Sequence, residues 1–550
     1  MLAFQDRHYT LADLDALAAG LAAELHQQGV RAGHRVAVMS SNRPEFVVAL
    51  RALWRLGAAA VLLSPAWKQR EVRHALTLTS PAFAVGDHPV LAEVMPMRHL
   101  DEPIDAADTG PTQVDDPSSD AVLVFSSGTT GMPKAVRHTH ASLAAAVKHW
   151  REALQVTPSD RLQVMTPPSH ILGLLNIVMA LDTGAWIRLH PRFDIDTMLA
   201  HIESDRITIE MAVAPIALAL SAHPRLESFD LSSLRYIMWC ATPVTESVAA
   251  AVSARTGVRW VTAYGASELP VISCNDLDDA RLDTVGRAVP GVALRIVALD
   301  SGEPVEPSAE GEIQVRSDSA MAGYLPADST AAAFADGWYR TGDTGKVAHT
   351  KGEFSFGKLA ALTAAGGGIG AAISQSLVGD PIIGAAIGGT ASAALSVVSG
   401  MARKKGADHF MITGRIKSQF KLPGGEYVTP EPIEASLQGS PFIARALVVG
   451  AKDRDLVGAL VQPNFENLSE WAKSKNLPTE PAEMAKNPEV VKFLEDEAVN
   501  RSSNFRKHEV VRKLHILGHE LTGDEITAKG EVMRKVVTEK YTAELEGMFN

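Results

Sequence analysis

The chain has 550 residues, of which 46% are hydrophobic and 21% charged, enough apolar content for large cores in more than one domain. Its formal net charge of −12 argues against a general nucleic-acid partner. With only Cys240 and Cys274, it carries neither a disulfide framework nor a cysteine-rich metal site; Met1–Arg7 also lacks a basic region followed by an apolar core, so a cytoplasmic location is expected.

In chain order, Thr10 reads as the N-cap of a helix whose apolar residues recur at helical spacing through Leu25. Arg35–Met39 is a short strand. Asn42-Arg43-Pro44-Glu45 opens a second helix to about Leu56, closed by Gly57, and Val61–Leu63 is a further strand. Strand, helix and strand in this order predict a parallel α/β layer. The buried run Ala121–Phe125 then leads into Ser126-Ser127-Gly128-Thr129-Thr130-Gly131-Met132-Pro133-Lys134. Glycines let backbone N–H groups approach an anion, hydroxyls add donors and Lys134 adds a mobile positive charge. Such a loop suits a polyphosphate. It is not a Walker A loop, because G-x-x-x-x-G-K-[ST] is missing.

The next segment, His138 to about Leu154, is predicted helical. Met165-Thr166-Pro167-Pro168-Ser169-His170 follows, and a histidine placed there can also cap the helix after it. Leu174–Leu181 and Met211–Leu220 read as apolar helices flooring a cleft. Tyr236–Pro243 and Trp260–Glu268 come next, the latter ending Tyr264-Gly265-Ala266-Ser267-Glu268. From Gly286 the chain is β-rich, through Gly311–Val315, Met321-Ala322-Gly323-Tyr324 and Gly337–Asp343. A carboxylate such as Asp343 accepts two hydrogen bonds from a diol.

Residues 359–402 hold one charge, Asp380, with small residues recurring every fourth position, as at Gly384, Gly388, Ser392, Ser396 and Gly400. Basic residues flank them at Lys358 and Arg403-Lys404-Lys405. Three readings fit: a membrane hairpin, a buried or self-associating helical hairpin, and a flexible linker. His409–Ile412 is strand-like and leads into Gly414-Arg415-Ile416-Lys417. Near the end, Leu521–Lys535 holds Lys529 and Glu531.

Together these strings resemble the adenylate-forming superfamily of acyl-CoA synthetases, luciferases and peptide-synthetase adenylation domains. The resemblance implies a large α/β N-terminal adenylation domain over residues 1–356. It also implies a small α+β C-terminal domain over 409–550, with the apolar insertion, read as a helical hairpin, at 357–408. It assigns Ser126, Ser127, Gly128, Thr129, Thr130, Gly131 and Lys134 to the phosphates of ATP. Tyr264 would stack on adenine, Ser267 would contact the α-phosphate, Glu268 would hold Mg²⁺, and Asp343 and Arg415 would contact ribose or phosphate. His170 and Gly265 fall to the acid's pocket and Lys417 to the hinge. Lys529 is the catalytic lysine candidate beside Thr130 and Glu268, although a gapless alignment on Arg534–Val537 puts Glu531 at that position. Trp239 and Cys240 stand where the family has small residues, and an inward Trp239 would shorten the pocket. The implied reaction couples a small carboxylic acid to ATP and then to coenzyme A. The C-terminal text resembles long-chain fatty acyl-CoA synthetases, so a fatty acid is expected. The alternatives are a fatty acyl-AMP ligase loading a carrier protein, and a non-catalytic scaffold displaying the 359–402 segment to a membrane or to itself.

Overall fold

The computed structural model describes residues 1–111, 114–126, 132–241, 246–306, 308–348, 409–526 and 532–549. The first long helix, Leu11–Gln27, begins as its sequence dictates. The Thr10 hydroxyl accepts from the Asp13 amide, and the Asp13 carboxylate accepts from the Thr10 amide. The Pro44–Arg55 helix has proline in its first turn and ends at Gly57, whose φ of 68° is left-handed.

Two large sheets organise the N-terminal part among the described residues. One has seven strands, with the parallel strands Arg35–Met39, Ala59–Leu62 and Asp120–Ser126 at its centre. The other has nine and runs through Arg161–Val164, Ile209–Ala212, Tyr236–Trp239 and Trp260–Ala266, also parallel. A single apolar core fills the space between them. It joins Val38 and Val122 of the first sheet to Val164 and Met238 of the second, through Leu50, Leu53, Trp150 and Ile177 of intervening helices. A second core covers the far face of the nine-stranded sheet and a third the far face of the seven-stranded one. The result is helix, sheet, helix, sheet, helix. Strands buried on both faces read as continuous apolar runs, which is why they were legible.

Two boundaries differ from the sequence reading. His138 belongs to a strand, Lys134–Thr139, which pairs antiparallel with Asp120–Ser126, and the helix starts at His140 under a Thr139 cap. Met211 lies in the Ile209–Ala212 strand, and a helix with Pro215 in its first turn takes over only at Ala214. Propensity sees an apolar run in both places, whereas the pairing partner decides its period.

A five-stranded sheet follows, in which Trp338–Ala348 pairs with Gly311–Ser317 on one side and His409–Arg415 on the other. Ala348 and His409 are register partners, so the chain leaves and re-enters this ladder at one place. Residues 349–408 lie outside the described residues, and with them the expected hairpin. Among the described residues no helix is long and apolar enough to cross a membrane.

The C-terminal part builds a three-stranded sheet from Ile443–Gly450, Val457–Pro463 and Leu514–Ile516. Val448 and Ala459 face one small core, and Leu447 and Leu460 face another. The helices Phe465–Ser474 and Pro488–Ser502 add a stacked ring pair, Trp471 on Phe493, with centroids 3.9 Å apart.

Candidate active site

The Asp120–Ser126 and Lys134–Thr139 strands pair in a register that puts Ser126 opposite Lys134. Both ends of the hydroxyl and glycine loop are thereby fixed side by side. Ser127, Gly128, Thr129, Thr130 and Gly131 lie outside the described residues, as do Lys529 and Glu531. The Lys134 ammonium stands 5.3 Å from the centroid of the Tyr324 ring. Tyr324 arrives on a short strand, Gly323–Leu325, that pairs with Lys134–Thr139.

Tyr264 to Ala266 end the strand Trp260–Ala266, with a register shift between Tyr264 and Ala266, and Ser267 and Glu268 make the turn into the antiparallel strand Leu269–Cys274. Gly265 is required by close approach, since a Cβ there would lie 2.0 Å from the Pro270 carbonyl oxygen. The Glu268 side chain is 7% exposed, and its Oε1 accepts from the Tyr324 hydroxyl at 2.7 Å. The Glu268 carbonyl accepts from the Met321 amide at 2.8 Å. One residue earlier, the Ser267 carbonyl lies 2.8 Å from His138 Nε2. A carbonyl only accepts, so Nε2 carries the hydrogen, and Nδ1 accepts from the Ser142 hydroxyl at 3.2 Å. Complete burial lowers the His138 pKa, in keeping with this neutral ring.

Asp343 completes the cluster at 5% exposure. Its Oδ2 accepts from the Tyr264 hydroxyl at 2.5 Å, and Arg415 Nε lies 3.1 Å from Oδ1. Asp343 and Arg415 are also register partners across the hinge ladder. Burial raises the Asp343 pKa, while the Arg415 charge and the Tyr264 hydrogen bond oppose it. Burial, then the Asp343 charge, holds the Tyr264 phenol well above its ordinary value. A carboxylate offers about four lone-pair sites, so two remain on Asp343 for a diol. Ile416 donates its amide to Gly342 at 2.9 Å, which ties the turn carrying Lys417 to the same loop.

Residues 1–325 match the AMP-binding enzyme family, and residues 417–550 match the AMP-binding enzyme C-terminal domain. The chain belongs to the AMP-binding enzyme family. An indoleacetate–CoA ligase of Aromatoleum aromaticum is 31% identical over 489 residues, covering 84% of each chain. A 4-coumarate–CoA ligase of Oryza sativa is 31% identical over 388 residues, 62% of this chain and 68% of that one. A feruloyl-CoA synthase of Amycolatopsis is 33% identical over 352 residues, 62% and 71%. Among solved structures, the o-succinylbenzoate CoA synthetase of Bacillus subtilis with its acyl-adenylate intermediate superposes with a TM-score of 0.74 at 21% identity, over 98% of this chain and 94% of that chain. The ATP-bound MatB of Rhodopseudomonas palustris gives 0.75 at 22%, over 99% and 96%. At that identity the two structures speak for the fold.

In this AMP-binding enzyme, Lys134, Tyr264, Ser267, Glu268, Asp343 and Arg415 converge. For His170 the structure shows a capping contact. Its ring caps the Ile171–Thr183 helix, with Nδ1 accepting from the Leu172 amide at 3.2 Å. Trp239 packs into the core on the far face of the nine-stranded sheet, 5.4 Å from the Trp260 ring. Cys240 belongs to the core shared with Tyr264, and burial pushes its thiol up to about 12. Strand alternation thus places the Trp239 ring on the face opposite Cys240.

Among the described residues no three His, Cys, Asp or Glu side chains are grouped to hold a metal. Two functional contacts escaped the sequence reading. His138 was merged into the following helix, and the Gly323-Tyr324 string was noted without a role. Only three-dimensional pairing brings either to the 264–268 turn.

Proposed function

We propose that this AMP-binding enzyme activates a carboxylic acid with ATP to acyl-AMP and passes the acyl group to coenzyme A. The observation that carries the reading is the convergence of Lys134, Tyr264, Glu268, Asp343 and Arg415 from separate stretches of the chain into one linked cluster. Each supplies what a nucleotide needs. Tyr264 offers an aromatic face whose hydroxyl is anchored on Asp343. Asp343 keeps acceptor capacity for the ribose diol. Lys134, with the 126–131 loop, faces phosphate. Glu268 offers an oxygen ligand for Mg²⁺, which when bound neutralises phosphate charge.

In the first step a carboxylate oxygen attacks the α-phosphorus, and the bond to the bridging oxygen breaks to release pyrophosphate. In the second, the thiol sulfur attacks the acyl carbon, the acyl–phosphate bond breaks, AMP leaves and the thiol proton passes to solvent. No side chain need form a covalent bond. Lys529 is assigned to the acid carboxylate and α-phosphate during adenylation, with Thr130 and the rest of the loop stabilising charge. The 409–550 domain is assigned a pivot at Lys417 between the half-reactions.

For the acid we favour an aromatic or arylalkyl compound over a fatty acid. The relatives named above are CoA ligases for indoleacetate, coumarate and ferulate. The fatty-acid reading rests on C-terminal text only. Acid-dependent pyrophosphate exchange across aryl, arylalkyl and fatty acids, with Lys529→Ala beside wild type, tests both points. Exchange with an aryl acid, lost about 10²-fold in the variant, is expected. Absence of exchange with every acid would overturn the reading in favour of a non-catalytic scaffold. Exchange without coenzyme A consumption would point to a carrier-protein ligase.

A further inference from the structure

Tyr324 takes no part in the assignments above, yet it touches two of the charged groups in them. Its hydroxyl is the donor to Glu268 Oε1, at 2.7 Å. Among the described residues no other group donates to that carboxylate. Its ring meanwhile carries the Lys134 ammonium at 5.3 Å. The backbone around it is pinned. Tyr324 is register partner to Val136, on the Lys134 strand, and its amide donates to the Thr330 hydroxyl at 2.9 Å. Three residues upstream, the Met321 amide donates to the Glu268 carbonyl. A short segment thus grips Glu268 by backbone and side chain together while it pairs with the strand that carries the loop lysine.

We propose that Tyr324 is a positioning residue. Its hydroxyl orients the Glu268 carboxylate for a divalent cation, and its ring orients Lys134 for the nucleotide's phosphates. This rests on the reading of Glu268 as the cation's ligand. A carboxylate on a flexible stem samples several rotations, and one fixed oxygen removes most of them. Burial, then the Glu268 charge, raises the Tyr324 phenol above its ordinary pKa, so the hydroxyl keeps its proton. Groups that orient a metal ligand from behind commonly matter 10- to 100-fold in metal affinity.

Calorimetric titration of ATP into the full chain, at stepped Mg²⁺ and with acid and coenzyme A omitted, separates the two contacts without turnover. Tyr324→Phe keeps the ring and deletes the hydroxyl. It should raise the Mg²⁺ concentration for half-maximal ATP binding about tenfold and leave Mg²⁺-free ATP binding at the wild-type level. Tyr324→Leu deletes both and should weaken Mg²⁺-free binding several-fold as well. Glu268→Gln is run beside them. If it keeps the wild-type Mg²⁺ response, the reading of Glu268 itself fails. If it loses that response while Tyr324→Phe titrates as wild type, the positioning role is overturned. Equal loss of Mg²⁺-free and Mg²⁺-dependent binding in Tyr324→Phe would also overturn it, since that is what general misfolding gives.

Discussion

The nine-stranded sheet borders two buried polar clusters of opposite design. On the side of the shared core, Asp343 is clasped by Arg415 and Tyr264, and Glu268 by Tyr324. These carboxylates face cations and strong donors. On the far side, Glu210 of the Ile209–Ala212 strand is wholly buried; its carboxyl accepts from Gln163 Nε2 at 2.6 Å and meets the Met211 backbone amide, while among the described residues its Oε1 has no hydrogen-bond partner. Gln163 Oε1 continues the chain to His190 Nε2 at 2.8 Å, and the His190 ring lies 5.1 Å from His201. Among the described residues no arginine or lysine pairs with Glu210. Desolvation accordingly pushes the Glu210 pKa up to about 8 and the His190 pKa down to about 4. One cluster is equipped to hold charge beside a ligand, and the other is stable only while neutral.

The largest expected effect tests whether the far face is purely structural. Trp239→Ala should cost about 3–5 kcal/mol of stability, seen in chemical unfolding, with an unchanged KM for the acid. A shifted KM would put that ring in the pocket after all.

Glu210→Gln should flatten the pH dependence of stability. The folded pKa of about 8 lies above the ordinary carboxylate value of 4.5, so folding holds this proton. Its contribution is intact below about 4.5 and is lost as pH rises through 8, on the order of 4 kcal/mol in all. Melting curves of wild type should therefore fall from pH 5 to 8 more steeply than those of the variant. The acid limb should remain in both: the His190 pKa of about 4 lies below its ordinary 6.5, so that stability is present above 6.5 and lost as pH falls through 4.

Asp343→Asn gives the contrast. Its burial also raises its pKa, so a neutral amide should not lower the melting temperature. ATP binding should weaken by roughly 1.5–3 kcal/mol, the value of hydrogen bonds to a charged group, read as a raised KM for ATP. Equal ATP affinity would remove Asp343 from the ribose site.

The smallest effect is expected where the ladder closes at Ala348 and His409. Replacing residues 349–408 by an Asn-Gly turn should leave melting unchanged or raised, since a short loop costs less closure entropy, and should keep pyrophosphate exchange. Lost exchange would show that the insertion acts on the adjacent hinge.

Much of this was legible from residues alone. Thr10, Gly57 and Pro44 announce the ends of their helices, and doubly buried strands announce themselves by unbroken apolar runs. Tyr264, Glu268 and Asp343 stand in short distinctive strings, and the structure brings them into one linked cluster. His138, Tyr324 and the direction of Trp239 were not legible, because each is decided by strand pairing: His138 with Val122, Tyr324 with Val136, and Trp239 with Ala212 and Thr262.

Residues close together in the chain were enough to set the layered α/β fold, since caps, periodicity and glycine-bearing turns act over a few residues. The tertiary structure alone decided which carboxylate meets which donor and which face of a strand looks toward the site. Those outcomes depend on register between paired strands, as of Tyr324 with Val136 and Asp343 with Arg415, and a shift of one residue would turn every side chain to the opposite face.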